Sequence, residues 1–259
     1  MGIVNVTPDS FFAGARTQGS DTAIARGREL FDAGCDIVDV GGESTRPGAI
    51  EVDEEEELAR VVPVIRELAK LGPVSVDTRK EAVARASVAV GASVLNDVSA
   101  SLLELASELK VGYVAMHAKG TPETMQSSPT YEDVVGEVEA FLTDLALRAR
   151  SLGVSPMWID PGIGFGKTVE HNLLLLAHVD RFVALGQRYG AGVLIGTSRK
   201  RFLGRLGVQE LEVEERLEGS IASEAWVFVH GVSMVRVHDA VAAVQLRELL
   251  ERRVEEVVA

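Results

Sequence analysis

Residues 37–48 read Ile37-Val38-Asp39-Val40-Gly41-Gly42-Glu43-Ser44-Thr45-Arg46-Pro47-Gly48. A short apolar run, broken by Asp39, gives way to glycines and then to polar and charged side chains. From Asp53 a block of acids opens a stretch, 53–70, whose apolar positions recur at helical spacing. Carboxylates at a helix start favour the helix dipole, so the block at 53–57 reads as a solvated helix end. An apolar run too short for a helix, a polar turn and an amphipathic helix together make one β/α unit.

The same unit recurs in both directions along the chain. Apolar runs lie at 2–6, 37–40, 74–76, 93–95, 113–116, 157–159, 192–195 and 234–237. They are continuous rather than alternating, as expected of strands covered on both faces. Helical patterns lie between them at 21–33, 53–70, 81–90, 102–109, 131–151, 169–188, 213–229 and 240–257. Strand then helix, eight times in 259 residues, predicts a single-domain (β/α)8 TIM barrel over residues 1–259, a fold that typically takes about 250 residues. A doubly wound open sheet is the alternative, but it usually has fewer strands.

Composition narrows the function. The net charge is −13, which argues against a nucleic-acid partner, since such proteins present a basic face. An acidic protein that handles an anion must gather its few cations at one place. No apolar run approaches a membrane span, and the first residues have neither the basic region nor the cleavage motif of a signal peptide. Cys35 is the one cysteine. With no internal disulfide possible, the chain suits a reducing cytoplasm, and Cys35 reads as a small buried side chain.

In a β/α barrel the chemistry sits at the C-terminal ends of the strands. Every apolar run here ends in polar groups: Asn5, Asp39 with Glu43 to Arg46, Asp77, Asn96 with Asp97, His117 after Met116, Asp160, Ser198 to Lys200, and Arg236 with His238. Each alone is compatible with a helix cap, but eight in register exceed what capping requires. They form two chemical sets. Asp77, Asn96, Asp160 and Lys200 suit a flat heterocycle rich in N–H donors, because a carboxylate accepts two parallel hydrogen bonds from a guanidine-like edge. Asn5, Thr45, Arg46, Arg236 and His238 suit a group with several negative charges.

These residues stand in motifs. Gly2-Ile3-Val4-Asn5-Val6-Thr7-Pro8-Asp9-Ser10-Phe11, Gly41-Gly42-Glu43-Ser44-Thr45-Arg46-Pro47-Gly48, Ser75-Val76-Asp77-Thr78, Asn96-Asp97-Val98, Asp160-Pro161-Gly162-Ile163-Gly164-Phe165-Gly166-Lys167, Thr197-Ser198-Arg199-Lys200 and Arg236-Val237-His238-Asp239 follow in this order. Together they resemble the dihydropteroate synthases, over almost the whole chain.

The resemblance implies an alkyl transfer in which a pterin methyl pyrophosphate and p-aminobenzoate combine and pyrophosphate leaves. It implies that Asp77, Asn96, Met116, Asp160 and Lys200 hold the pterin. Asn5, Thr45, Arg46, Arg236 and His238 hold the pyrophosphate, and Asn5 also meets a magnesium cofactor. Phe11, Pro47 and Phe165 enclose p-aminobenzoate, Asp39 is a further acidic position, and Ser198 and Arg199 flank and orient Lys200. Asp77, Lys200, Arg236 and His238 are the implied catalytic set. A cytoplasmic homodimer, paired through helices near the C-terminus, is implied as well. Acid around the ring and base around the leaving group point to a dissociative, SN1-like path.

This chain departs from the family pattern at Ala13, where many members carry an acid, and at Arg201, where some carry a serine that meets the p-aminobenzoate carboxylate. Arg201 is expected to take over that contact. Met1 also lies directly at strand one, where members usually have a preceding segment. Two rival readings are a silent pterin-binding paralogue and a methyltetrahydrofolate-binding methyltransferase, which has no need of a cage of Arg46, Lys200, Arg236 and His238.

Several signals are set aside. Residues 161–168 approach a phosphate-binding loop, but proline stands where its first glycine belongs, and Gly162, Gly164 and Gly166 are spaced wrongly for a dinucleotide fingerprint. His171 and His178 lack zinc-ligand spacing. His117, at a strand end, is expected to face the mouth.

Overall fold

The computed structural model describes residues 1–6, 16–44, 49, 51–120, 125 and 129–258. Its strands are β1 (Gly2–Asn5), β2 (Val38–Gly41), β3 (Val74–Asp77), β4 (Val94–Asp97), β5 (Gly112–Met116), β6 (Met157–Asp160), β7 (Gly192–Ile195) and β8 (Met234–Val235). Neighbours in sequence are neighbours in space, and all pair in parallel. Closure comes from the first and last strands: Gly2 bridges Val237, the Ile3 N–H donates to Val237 O at 3.0 Å, and the Val237 N–H donates to Met1 O at 2.9 Å. The result is a parallel (β/α)8 barrel, and all eight apolar runs of the sequence are its strands.

Side-chain alternation divides the core in two. Val38, Val40, Val74, Val76, Leu95, Tyr113, Ile159 and Val193 point outward and pack with the helices in one continuous cluster. Met1, Ile37, Val94, Val114 and Leu194, with Trp158 and Met234, point inward and fill the lower barrel. Truncating a fully buried leucine in the outer layer, such as Leu95 or Leu142, typically costs about 2–5 kcal/mol. The apolar plug leaves only the upper interior for polar chemistry.

The helices are α1 (Arg16–Asp32), α2 (Glu54–Leu68), α3 (Glu81–Ala89), α4 (Leu103–Leu109), α5 (Val134–Ser151), α6 (Val169–Ala177), α7 (Val179–Tyr189), α8 (Arg201–Gly204), α9 (Leu217–Val229) and α10 (Ala240–Val258). Caps place several starts. Asp53 accepts from the Glu56 N–H at 2.7 Å, and Asp133 from the Gly136 N–H at 3.0 Å. Details differ from the sequence reading, beginning with α1, which starts at Arg16 rather than at 21. The pattern at 169–188 is two helices, broken at His178 with no glycine or proline to mark the break. The stretch 213–229 opens with a 3-10 turn, Val213–Arg216, before α9. The one-turn α8 carries no periodic signal.

The acidic block at the start of α2 is not all solvated helix end. Glu57 is 1% exposed, and the Lys80 ammonium donates to Glu57 at 2.6 Å, to Glu43 at 2.5 Å and to Val52 O at 2.7 Å. Thr78 donates to the other Glu57 oxygen at 2.7 Å. This charged knot ties both ends of the β2–α2 connection to the segment after β3. It compensates buried charge by pairing, a contact between distant segments that local spacing does not announce.

Candidate active site

Strand register sets the site before any side chain is considered. Asn5 lies opposite Gly41, Gly41 opposite Asp77, and Asp77 opposite Asn96. Further round the ring Met116 lies opposite Asp160. These residues end or nearly end their strands, so they occupy one layer at the C-terminal rim. Gly196, just past β7, leaves room on the same rim. A Cβ built there would lie 3.7 Å from both Lys200 Nζ and Arg236 Cβ.

Arg236 organises the acidic side. Its Nε donates to Asp39 Oδ2 at 2.6 Å and its Nη2 to Asp77 Oδ2 at 2.9 Å. Asn96 Nδ2 donates to the same Asp39 oxygen at 2.9 Å. Asp39 is fully buried, and its Oδ1 has no hydrogen-bond partner among the described residues. Burial pushes the Asp77 carboxyl up, to about 7, against the pull of Arg236 and with Asp39 adding to the rise. Burial opposes the Arg236 charge, but Asp39 and Asp77 outweigh it and hold the guanidinium above its ordinary value. Desolvation and opposite charge are thus arranged against each other, as at functional sites generally.

Asp160 and Lys200 face the other side. Asp160 accepts from the Gly162 N–H at 2.7 Å, and burial raises its carboxyl while the Lys200 charge opposes. Lys200 Nζ donates to Ile163 O at 2.5 Å and sits 4.6 Å from the centroid of the Phe165 ring. Burial brings Lys200 down to about 8, with Asp160 holding it up. His238 packs beside Ser198, whose Oγ lies 3.1 Å from His238 Nδ1 and accepts the His238 N–H at 3.1 Å.

The structure therefore brings Asp39, Asp77, Asn96, Met116, Asp160, Lys200 and Arg236 to one rim, with Asn5 at the end of β1. Phe11, Ala13, Thr45, Arg46 and Pro47 lie outside the described residues.

Two expectations are corrected. His117 does not face the mouth: it follows inward-facing Met116 and so turns outward, edge-on to Phe141 with ring centroids 5.0 Å apart. Ser198 and Arg199 do not orient Lys200. Ser198 holds His238, and Arg199 makes a two-pronged pair with Asp239 at 2.9 and 2.8 Å. Arg201 lies exposed on α8, where its Nε donates to Glu210 at 2.7 Å. Lys167, which sequence spacing does not single out, is 2% exposed and donates to Gly162 O at 2.9 Å and Phe165 O at 3.1 Å. Its signal was the misfit phosphate-loop pattern.

Residues 1–238 match the model of the family described as pterin binding enzyme. The dihydropteroate synthase of Escherichia coli (strain K12) is 40% identical, covering 97% of this chain and 90% of that protein. The chain belongs to the dihydropteroate synthase family. The structure of the Xanthomonas albilineans family member with 4-aminobenzoic acid superposes with a TM-score of 0.87 at 44% identity, covering 98% of this chain and 92% of that one. A complex of the same organism's enzyme with 7,8-dihydropteroate gives 0.84 at 41% identity, covering 97% and 92%. Family membership and the rim agree: the motif residues Asn5, Asp77, Asn96 and Asp160 are among the strand ends that register brings together.

Proposed function

We propose that this chain condenses 6-hydroxymethyl-7,8-dihydropterin pyrophosphate with p-aminobenzoate, releasing pyrophosphate. The observation that carries the reading is the convergence of Asp77, Asn96, Asp160, Lys200 and Arg236 on one barrel rim, with His238 just past β8 beside Ser198. Asp160, Asn96 and Asp77 accept the ring's N–H groups, Lys200 meets the ring's acceptor atoms, and Met116 packs on its face. Arg236 and His238, with Thr45 and Arg46, hold the pyrophosphate. Because Arg236 is the ion-pair partner of Asp39 and Asp77, it links the two halves of the site.

The chemistry follows from that division. Pyrophosphate departs readily only when its growing charge is met by cations already in place, often the largest catalytic term. The carbon left behind is a methylene cation conjugated with the pterin, and buried carboxylates near the ring favour it. Bond breaking therefore runs ahead of bond making: the aromatic amine nitrogen attacks the cation, forms the C–N bond and gives its extra proton to the departed pyrophosphate or to solvent, with no covalent enzyme intermediate. Phe165, Phe11 and Pro47 flank the amine, and Arg201, already paired with the carboxylate of Glu210, takes the carboxylate of p-aminobenzoate.

Magnesium fits the donor set as a substrate-shared ion. Among the described residues no group of three or more His, Cys, Asp or Glu is placed to hold a metal. Asn5 offers one hard amide oxygen, and magnesium commonly takes one or two protein ligands with substrate phosphates and water. When bound it would neutralise charge on the leaving pyrophosphate. No helix among the described residues is long and apolar enough to cross a membrane. Exposed Trp226 and Val229 on α9 and Val241 and Leu249 on α10 supply the apolar surface for a homodimer.

A coupled assay of pyrophosphate release tests the proposal. Enzyme with the pterin pyrophosphate, magnesium and p-aminobenzoate yields 7,8-dihydropteroate and pyrophosphate in equal amounts, and omitting the amine leaves a slower release. No dihydropteroate from folded protein would refute the function. Release wholly dependent on the amine would refute the free cation.

A further inference from the structure

Lys167 belongs to none of the groups assigned above, yet it is the most enclosed ammonium near the rim. Its Nζ lies within hydrogen-bond distance of four acceptors: Gly162 O at 2.9 Å, Phe165 O at 3.1 Å, His117 O at 3.3 Å and His117 Nδ1 at 3.0 Å. Two of these belong to the loop after β6 and two to the residue after β5. Burial, and next the charge of Lys167, bring His117 down to about 3. The ring is therefore neutral, and in the tautomer protonated at Nε2 its Nδ1 offers a lone pair to the ammonium. None of the four acceptors carries a formal charge. Burial pulls Lys167 itself down to about 7, Asp160 opposing and Lys200 adding to the fall. An ammonium held this way costs stability rather than adding to it, so its retention needs another reason.

The glycines that imitate a phosphate loop build this cage. Gly162 and Gly166 have positive φ values of 69° and 64°. A Cβ on Gly162 would meet His117 O at 1.8 Å, and one on Gly166 would meet Lys119 O at 2.1 Å. Left-handed turns without side chains let the loop press onto the β5 segment and aim carbonyls inward at a cation, the inverse of an anion-binding nest. Other loop groups are occupied as well: Gly164 N–H donates to buried Asn172 at 2.7 Å, and Gly166 O accepts from Tyr131 OH at 2.9 Å. Ile163 O and the Phe165 ring, lying between these tethers, are the two groups that meet Lys200.

We propose that Lys167 is a positioning residue for the amine substrate: by drawing Gly162, Phe165 and His117 carbonyls onto one ammonium, it fixes the Phe165 ring against Lys200 where p-aminobenzoate must stack. This rests on the proposed function. Asp77, Asn96 and Met116 hold the pterin from β3, β4 and β5, and Asp160 and Lys200 touch the loop only through the Gly162 N–H, Ile163 O and the Phe165 ring, whereas Phe165 lies in the loop itself. Loss of the ammonium therefore weakens the amine subsite more than the pterin subsite.

Lys167→Met and Lys167→Gln test this in the full chain with magnesium. Steady-state kinetics give KM for p-aminobenzoate and kcat, and calorimetry gives the dissociation constant of the pterin pyrophosphate. The expected result is a rise in the p-aminobenzoate KM of about tenfold or more in Lys167→Met and less in Lys167→Gln, whose amide still donates to carbonyls. Pterin affinity stays within about threefold. A merely structural role would lower the active fraction, reducing apparent kcat with KM unchanged, and that outcome overturns the proposal. So does failure of both variants to fold, which makes the lysine a folding element, and so does an equal loss of pterin affinity. If wild-type enzyme forms no dihydropteroate, the proposed function itself falls, a result distinct from any of these.

Discussion

Replacing Arg236 by methionine should destabilise the protein far more than the loss of one surface charge would. Arg236 donates to Asp39 at 2.6 Å and to Asp77 at 2.9 Å, and Asp39 is fully buried with one oxygen already unpartnered among the described residues. Methionine keeps the aliphatic bulk and removes the cation, leaving two enclosed carboxylates, Asp39 with its Asn96 hydrogen bond and Asp77 with the more distant Lys200 charge. Breaking a buried pair from one side costs about 3–5 kcal/mol. At about 2–4 °C per kcal/mol for a chain of this size, the melting temperature should fall by roughly 10 °C at pH 8. The loss should depend on pH. Asp77 is raised to about 7 even with Arg236 present, so below that value it takes a proton and the repulsion fades. Without the cation that pulls it down, the Asp77 carboxyl stands above that value in the variant, so the variant is relatively stabilised as pH falls and loses that advantage only as pH rises beyond 7. Asp39→Asn in the Arg236→Met background should restore a substantial part of the loss. Thermal melts of wild type, both single variants and the double variant at pH 6 and pH 8 read all of this. A drop under about 1 kcal/mol at pH 8, or one that neither lower pH nor the added Asp39→Asn change relieves, would refute the account of the triad.

Other outcomes follow from the same electrostatics. Lys200→Met should weaken pterin pyrophosphate binding by about tenfold to a hundredfold by calorimetry, the worth of a charged hydrogen bond. In the wild type, binding should weaken as pH rises through about 8, where Lys200 loses its proton, and that slope should vanish in the variant. Glu224 is buried, its Oε1 lacks a partner among the described residues, and burial raises it to about 7. Its contribution is therefore full below its unfolded value near 4.5 and is lost as pH rises to 7. Glu224→Gln should accordingly melt higher than wild type at pH 8, by the equivalent of about 1–3 kcal/mol, and no higher at pH 4.5. Tyr113 donates to Asp97 at 2.9 Å, and Asp97 also caps the Leu102 N–H at 2.7 Å. Tyr113→Phe should cost about 1–2 kcal/mol in denaturant melts with both substrate KM values unchanged.

What the sequence discloses here depends on the range of the interaction. Continuous runs such as Val193-Leu194-Ile195 announce strands because burial on both faces is a local property of composition. The polar residues that end those runs, Asp77 and Asp160 among them, mark the rim because barrel geometry puts all strand ends at one face. Partners set by register or by long-range charge are less visible. His117 reads as a mouth residue from its place at a strand end, although strand alternation, once Met116 faces inward, sends it outward. Lys80, Glu43 and Glu57 are distant in sequence and meet only after folding. The Lys167 cage is written in glycines that resemble a different motif, and what separates the two is the positive φ of each turn. Family resemblance supplied roles for Thr45, Arg46, Phe11 and Pro47 that periodicity alone does not give.

The most direct test of the site is a comparison of two ligands against two variants. Calorimetry should measure 6-hydroxymethyl-7,8-dihydropterin and its pyrophosphate ester binding to wild type, Asp160→Asn and His238→Ala. If carboxylates grip the ring and basic groups grip the leaving group, Asp160→Asn weakens both ligands alike, by about tenfold or more, or about 1.4 kcal/mol. His238→Ala then weakens only the ester. Undiminished ring binding in Asp160→Asn, or an equal loss of both ligands in His238→Ala, would contradict that division of labour.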